Sequence, residues 1–162
     1  MSAYFLPSLR LLRELKRAAK RGARVQLILA GKSDVLLMRL ATRGLYASLL
    51  RAGVEVYEYK PQVLHAKLVI VDEVIYAGSA NLDARSLNIN YEVLARISDR
   101  RLAVEARRIF TSDLKHCERL ERRAFRGARG WWGSVLERFA FFVLARIDPY
   151  LARRQRHRLI NS

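Results

Sequence analysis

The sequence predicts an α/β domain: a layered mixed β-sheet flanked by helices, followed by a basic helical tail. Three observations predict it. Helix-period and strand-period segments alternate over the first sixty residues and then give way to a run of strands. Gly22 and Gly53 fall where helical segments end, as C′ glycines do. Of the 162 residues, 51% are hydrophobic, enough for one domain with a proper core.

Pro7 and Ser8 open the first helix, "LRLLRELKRAAKRG". Leu9, Leu12 and Leu15 fall at helical spacing, and basic residues fill the other face. "ARVQLILAG" reads as a buried strand. Ser33 or Asp34 is the N-cap candidate for a second helix, "VLLMRLATRGLYASLLRAG". "VEVYEY" alternates with period two and predicts a strand. After the break at Lys60-Pro61 come "HAKLVIVD" and "VIYAGS", two strands joined at Asp72-Glu73, and then "YEVLARIS", residues 91 to 98. Asp99 caps the helix "RRLAVEARRIFTSDLKHCERL". A domain over 1–120 and a tail over 121–162 follow from a change of character near residue 120. No internal repeat or low-complexity segment is visible.

The formal net charge is +16, from 31 Lys and Arg against 15 Asp and Glu. Residues 100–162 hold 16 of those basic residues and 6 of the acidic ones, so they carry +10 of it. Such a surface attracts polyanions, either nucleic acid or the anionic face of a membrane, and charge alone does not choose between them. Cys117 is the sole cysteine, which excludes an internal disulfide. With neighbouring His116 it makes two ligands, too few for a zinc site, so no metal is expected. "MSAYFLPSLRLL" has no basic n-region, so no signal peptide is expected. The longest apolar stretch, "FAFFVLA", is far short of the roughly 20 residues of a spanning helix.

The chemistry concentrates in "LHAKLVIVDEVIYAGSANLDARS", residues 64 to 86. Strand side chains alternate, so His65 and Lys67 share a face, while Ala66, Leu68 and Ile70 take the other. An imidazole and an ammonium repel when both are charged. An anion between them removes the conflict, and the lysine favours a neutral, nucleophilic imidazole. The small residues of Gly78-Ser79-Ala80-Asn81 let backbone approach a ligand. The Ser79 hydroxyl and Asn81 amide add donors for anionic oxygens. Taken singly, His-x-Lys is a solvated strand edge and Gly-Ser-x-Asn a turn. Their combination, order and spacing make the signal specific.

His65-x-Lys67-x4-Asp72 followed by Gly78-Ser79-x-Asn81 resembles the HKD motif of the phospholipase D superfamily. "AYFLPS", "KRAAKRGARVQLIL", "GKSD", "LLRAGVEVYEY", "LHAK" and "AGSANLDARSLNINYEV" resemble the second half of bacterial cardiolipin synthases, nearly continuously from residue 3 to about 115. The expected fold is therefore one phospholipase D-like half. Two departures stand out. Five residues separate Asp72 from Gly78 where the usual pattern has six, which is expected to shift strand register locally. Two-motif members of the family carry two HKD motifs and this chain has one, with Met1 where the second half would start.

The resemblance implies that His65 attacks phosphorus of a phosphodiester and becomes a phosphohistidine. Lys67, Ser79 and Asn81 would hold the non-bridging oxygens. A histidine from a second motif would protonate the departing alcohol and then activate the incoming one. No cofactor or metal is implied. Glu92 resembles the acidic residue that orients the nucleophile, the alternative being an exposed strand carboxylate. Asp72 belongs to the motif, but its turn position suits a structural role at least as well. Asp83 and Arg85 are expected to lock the loop after Asn81, and Tyr57 and Tyr59 to alternate on a strand.

The tail sets Trp131, Trp132, Phe139, Phe141, Phe142 and Tyr150 among arginines. As a helix it is either interfacial, on an anionic bilayer, or packed by its apolar face on the domain or a partner chain. Three functions compete. The first is a cardiolipin synthase-type phosphatidyltransferase acting on an anionic, phosphatidylglycerol-like phospholipid at the cytoplasmic face of the membrane, peripherally bound. It would need a homodimer mate or a complementing N-terminal half. The second is a dimeric single-HKD nuclease, with nucleic acid as partner. The third is an inactive, truncated lipid-binding fragment.

Overall fold

The computed structural model describes residues 1–33, 35–88, 90–127 and 130–144. Its elements in chain order are β1 (Phe5–Leu6), α1 (Leu9–Lys20), β2 (Gln26–Ala30), α2 (Leu36–Arg51), β3 (Glu55–Tyr59), β4 (Leu68–Val71) and β5 (Val74–Gly78). Then follow β6 (Leu82–Asp83), α3 (Ala84–Asn88), β7 (Leu94–Ser98), α4 (Arg100–Leu114), β8 (Cys117–Arg119), α5 (Arg122–Gly127) and α6 (Trp131–Phe142).

Parallel β2 and β3 pair from Gln26↔Glu55 to Ala30↔Tyr59, and β8 adds antiparallel on the far side of β3. Strands β4, β5 and β7 form an antiparallel sheet in that order. Met1 and Ser2 join the two sheets. The Ser2 amide donates to the Ile28 carbonyl at 3.1 Å, and the Leu68 amide donates to the Met1 carbonyl at 3.0 Å. Beyond them β1 runs parallel to β6, with Phe5 opposite Leu82. The result is a mixed sheet of the kind the sequence predicts.

Period-two alternation divides the core. Leu27, Leu29 and Val56 face α1 and α2, joined by buried Leu12, Leu45, Tyr46 and Leu49. Ile28 and Tyr57 face the opposite layer, where Phe110 and Leu114 of α4 pack on them. Ile75 packs against Ala103 and Ala106, one turn higher on α4. Small residues on α4 let the helix lie close to the sheet, and each fully buried Leu or Ile contributes about 1.5–3 kcal/mol.

Helix α1 begins as expected, with the Ser8 hydroxyl accepting from the Leu11 amide, and Gly22 follows it at φ 93. Asp99 caps α4 through the Leu102 amide. The second helix begins differently. Its N-cap is Val35, without a side-chain cap, because the Ser33 hydroxyl is spent on the Val35 amide at 3.1 Å. Asp34 lies outside the described residues. The helix expected to run on to Leu120 stops at Leu114, and Cys117–Arg119 becomes β8. Open hydrogen-bonding positions on the edge of β3 explain the change, since a three-residue strand satisfies them. Strands of two or three residues, such as β1 and β8, carry no readable period of their own.

The hairpin from β4 to β5 has an unbroken register, from Leu68↔Ala77 to Val71↔Val74, continued from Val74↔Ser98 to Gly78↔Leu94. The pairing thus runs without interruption on both sides of the shortened hairpin. The connection is the two-residue turn Asp72-Glu73, and Asp72 takes φ 51, the left-handed conformation that tight hairpins require.

The described part of the tail shares the core of the preceding domain. Phe125 and Ala140 belong to the same buried cluster as α1 and α2. Arg43 of α2 binds Glu58 of β3 at 3.1 Å and Glu137 of α6 at 3.5 Å, and its guanidinium stands over the Phe125 ring. Glu58 and Glu137 are both buried, so this pairing offsets their desolvation. Gly44 makes the approach possible, since a Cβ there would lie 3.0 Å from the Glu137 carbonyl oxygen. With that face of α6 inward, Trp131, Trp132, Val135, Leu136, Phe139 and Phe142 are left exposed. The tail beyond residue 144, including Tyr150, lies outside the described residues.

Candidate active site

His65 and Lys67 lie just before β4, where the chain is already extended and Lys67 pairs across to Ser2. Their side chains meet on one face, as two-residue spacing demands. The Lys67 Nζ stands 3.1 Å from His65 Nε2 and also donates to the His65 carbonyl oxygen at 2.8 Å. An ammonium has donors only, so this contact is a hydrogen bond when the imidazole carries its proton on Nδ1 and a lone pair on Nε2. That lone pair is what attack on phosphorus requires. His65 is exposed, and Lys67 half-buried.

Ser79 follows β5 and is locked to the start of β7 from three directions. Its amide donates to the Val93 carbonyl at 2.9 Å, and its hydroxyl accepts from the Val93 amide at 3.0 Å. The hydroxyl then donates to the Glu92 carboxylate. Asn90 adds a weaker donor to Glu92 at 3.4 Å. The Ser79 hydrogen bond holds the Glu92 carboxyl below its ordinary pKa, aided by Ser86, Asn90 and the charge of Lys67. Glu92 therefore stays an anion at neutral pH, within the field of the same lysine. Among the described residues it makes no hydrogen bond to His65, the partner the sequence suggested.

Asn81 is oriented by the N-terminal segment. Its Oδ1 accepts from the Tyr4 amide at 3.2 Å, which leaves its Nδ2 as the donor end. Ser2 braces the same corner, donating to the Tyr4 carbonyl at 2.6 Å and accepting from the Leu82 amide at 3.1 Å. Asp83 and the residues after it lock the next turn as expected. Its Oδ1 accepts from the Arg85 amide at 2.8 Å and the Ser86 amide at 2.9 Å, capping α3.

One expectation changes, that for Gly78, while Asp72 takes the turn position the sequence assigned it. Gly78 does not leave room for a ligand, because the space its side chain would fill is taken by the Val93 carbonyl oxygen. It is needed for strand approach, and the Ser79–Glu92 contact depends on that approach. Asp72 stands at the far end of β4, five residues beyond Lys67 and roughly 16 Å away along an extended strand. There its carbonyl accepts from Arg107 of α4. Its place is the hairpin turn, away from the His65 cluster.

No pattern in the sequence marks the recess beside Lys67. Its walls are Met1, Val69, Tyr76, Ala80, Leu82, Leu87 and Leu94, which meet only through folding. Nor does the sequence single out a basic groove at the C-terminal ends of α1 and α2, lined by Arg13, Lys16, Arg17, Lys20 and Arg51. Tyr57 faces the α4 layer, its hydroxyl donating to Glu55 at 2.6 Å; Tyr59 packs in the same layer. Among the described residues, no group of three or more His, Cys, Asp or Glu gathers as metal ligands. No described helix is long and apolar enough to cross a membrane.

This arrangement of sheets and helices, with a His65–Lys67 pair and Glu92 within the field of Lys67, is that of a phospholipase D-like domain. Residues 1–114 match the family described as "Cardiolipin synthase, PLD-like domain", and the chain belongs to that family. Cardiolipin synthase B of Escherichia coli (strain K12) is 35% identical over 148 residues, covering 88% of this chain and 35% of that protein. Cardiolipin synthase A of Buchnera aphidicola is 34% identical over 141 residues, covering 86% and 29% respectively. The chain thus spans about a third of the length of these curated relatives. A phospholipase D family member, Nuc from Salmonella typhimurium, superposes with a TM-score of 0.61 at 18% identity, over 73% of this chain and 78% of that one.

Proposed function

We infer that the chain carries phosphodiester chemistry of the phosphatidyl-transfer type, through a covalent phosphohistidine on His65. The observation that carries this reading is the 3.1 Å contact between the Lys67 ammonium and His65 Nε2 on a solvent-facing edge. The His65 lone pair attacks phosphorus, a P–N bond forms, and the P–O bond to the leaving alcohol breaks. Lys67 and the Asn81 Nδ2 receive the charge that builds on the non-bridging oxygens. Glu92 and Ser79 act as a pair, the carboxylate fixing the hydroxyl at the same edge. Attack by a second alcohol on the phosphohistidine then breaks the P–N bond and frees His65.

The leaving alkoxide needs a proton. Among the described residues no other histidine is hydrogen-bonded to this cluster, so the acid comes from a second copy or a complementing half. The relatives support a phospholipid substrate, phosphatidylglycerol-like in charge. The exposed aromatic face of α6 and the +16 charge support a peripheral position on an anionic membrane surface. On this reading 121–162 is a membrane-contacting tail on the 1–120 catalytic domain.

Incubation with a reactive phosphodiester tests the chemistry. An acid-labile, base-stable phosphoryl adduct should form on His65, detectable by mass spectrometry. His65→Ala should abolish it, and Lys67→Ala should slow its formation by about 10²–10³, as loss of a charge-stabilising donor does. An adduct that persists in His65→Ala sinks the assignment. Cleavage of DNA without turnover of phosphatidylglycerol would transfer the same chemistry to a nuclease.

A further inference from the structure

The antiparallel sheet has two unlike faces. One, carrying Leu68, Ile70, Ile75, Ala77 and Ile97, is committed to α4. Lys67 and Val69 share the other by two-residue spacing, and cross-strand pairing sets Tyr76 opposite Val69. Leu94 joins that face, paired with Gly78. Leu82 and Leu87 rise beside it, and the recess they enclose opens next to Lys67. Leu87 and Leu94 remain 43% and 49% exposed, so apolar surface stands in solvent beside the reactive cation.

We propose that this recess is an apolar subsite that receives the acyl-bearing glyceryl portion of a phosphodiester lipid while its phosphate lies at Lys67. The inference rests on the phosphodiester reading of the His65 site and names which part of the substrate lies beside it. Juxtaposition carries it. A wall of aliphatic side chains ends at an ammonium, which matches a molecule whose phosphate is followed by hydrocarbon. Covering half-exposed leucines with hydrocarbon removes apolar area from water. A nucleobase would need its edge donors and acceptors met. Among the described residues that line it, Tyr76 and Lys67 alone carry polar side-chain groups.

The test is a nuclear magnetic resonance titration of the full chain with two esters. One is dihexanoyl phosphatidylglycerol, kept below its micelle concentration; the other is its deacylated counterpart, glycerophosphoglycerol. The acylated ester should bind about tenfold more tightly, since two or three methylenes buried in the recess suffice for that ratio. Leu87→Ser and Leu94→Thr, both at half-exposed surface positions, should each pull the ratio towards one. Lys67→Ala should weaken both esters. Equal affinity for the two esters in the unaltered protein overturns the subsite and leaves the phosphodiester reading standing. A ratio that survives both leucine changes also overturns it, as does a self-associated chain whose second copy covers Leu87 and Leu94. Failure of both esters to bind overturns the phosphodiester reading, and the subsite with it.

Discussion

An added methyl at Gly78 would collide with the Val93 carbonyl oxygen, and neither partner is a flexible side-chain end. Gly78→Ala should cost about 3 kcal/mol, at the upper end of overpacking effects. A lower urea midpoint on denaturation would show it. The change should also loosen the Ser79–Glu92 contact, because Val93 anchors Ser79. Glu55 offers a separate test through pH. The Arg24 hydrogen bond, assisted by the Tyr57 hydroxyl and Gln26 amide, pulls its carboxyl from 4.5 to about 2. A depressed carboxyl stabilises the fold fully above its unfolded pKa and loses that contribution as protonation begins in the folded state. Stability should therefore fall between pH 4.5 and 2. Glu55→Gln should flatten this part of the curve, followed by thermal melts across that range. A pH profile in the variant identical to that of the unaltered chain would remove Glu55 as the source.

At the scale of elements, α6 shows a helix with two apolar faces put to different uses. Ala140 is buried in the cluster that holds α2, Glu137 lies against Gly44, and the Arg43–Glu137 pair fixes the docking. The opposite face presents Trp131 and Trp132, with ring centroids 4.5 Å apart, followed by Val135, Leu136, Phe139 and Phe142. Replacing Trp131 and Trp132 by Ala should leave the melting temperature nearly unchanged, because both rings are exposed. The same change should weaken sedimentation with phosphatidylglycerol vesicles by about tenfold, as interfacial aromatic anchors are lost. Salt should weaken vesicle binding in the parent protein as well, since each surface cation near an anionic bilayer is worth about 1 kcal/mol. Vesicle binding untouched by the tryptophan changes would place the contact elsewhere, the α1–α2 basic groove being the first candidate.

At the scale of the whole molecule, His65 lies exposed beside Lys67, and among the described residues no other histidine is hydrogen-bonded to the pair. Turnover should therefore depend on association. If two copies complete one site, they meet isologously, each bringing its His65 towards a common two-fold axis. Specific activity should fall on dilution below the dimer dissociation constant. A mixture of His65→Ala chain with unaltered chain should show fewer active sites than the unaltered chain alone. Analytical ultracentrifugation run beside the assay checks both, and full activity from a strictly monomeric species would refute the requirement.

The sequence by itself determined what depends on neighbours along the chain. Period-two and period-3.6 patterns carried the longer strands and helices. Ser8 and Asp99 carried helix starts, and the His65-x-Lys67 spacing carried one shared face. Those features need only local geometry, so they survive in a string of letters. Tertiary structure alone decided the rest. It placed Glu92 on Ser79, because that contact depends on the register of β5 against β7 and on the close approach at Gly78. It set Asn81 by the Tyr4 amide, 77 residues away in sequence. It turned the tryptophan face of α6 outward, because Arg43 and Glu137 claim the inner face through a buried charge pair. It also gathered Leu82, Leu87 and Leu94 beside Lys67, a grouping with no period to reveal it, because those side chains become neighbours only when β7 pairs with β5.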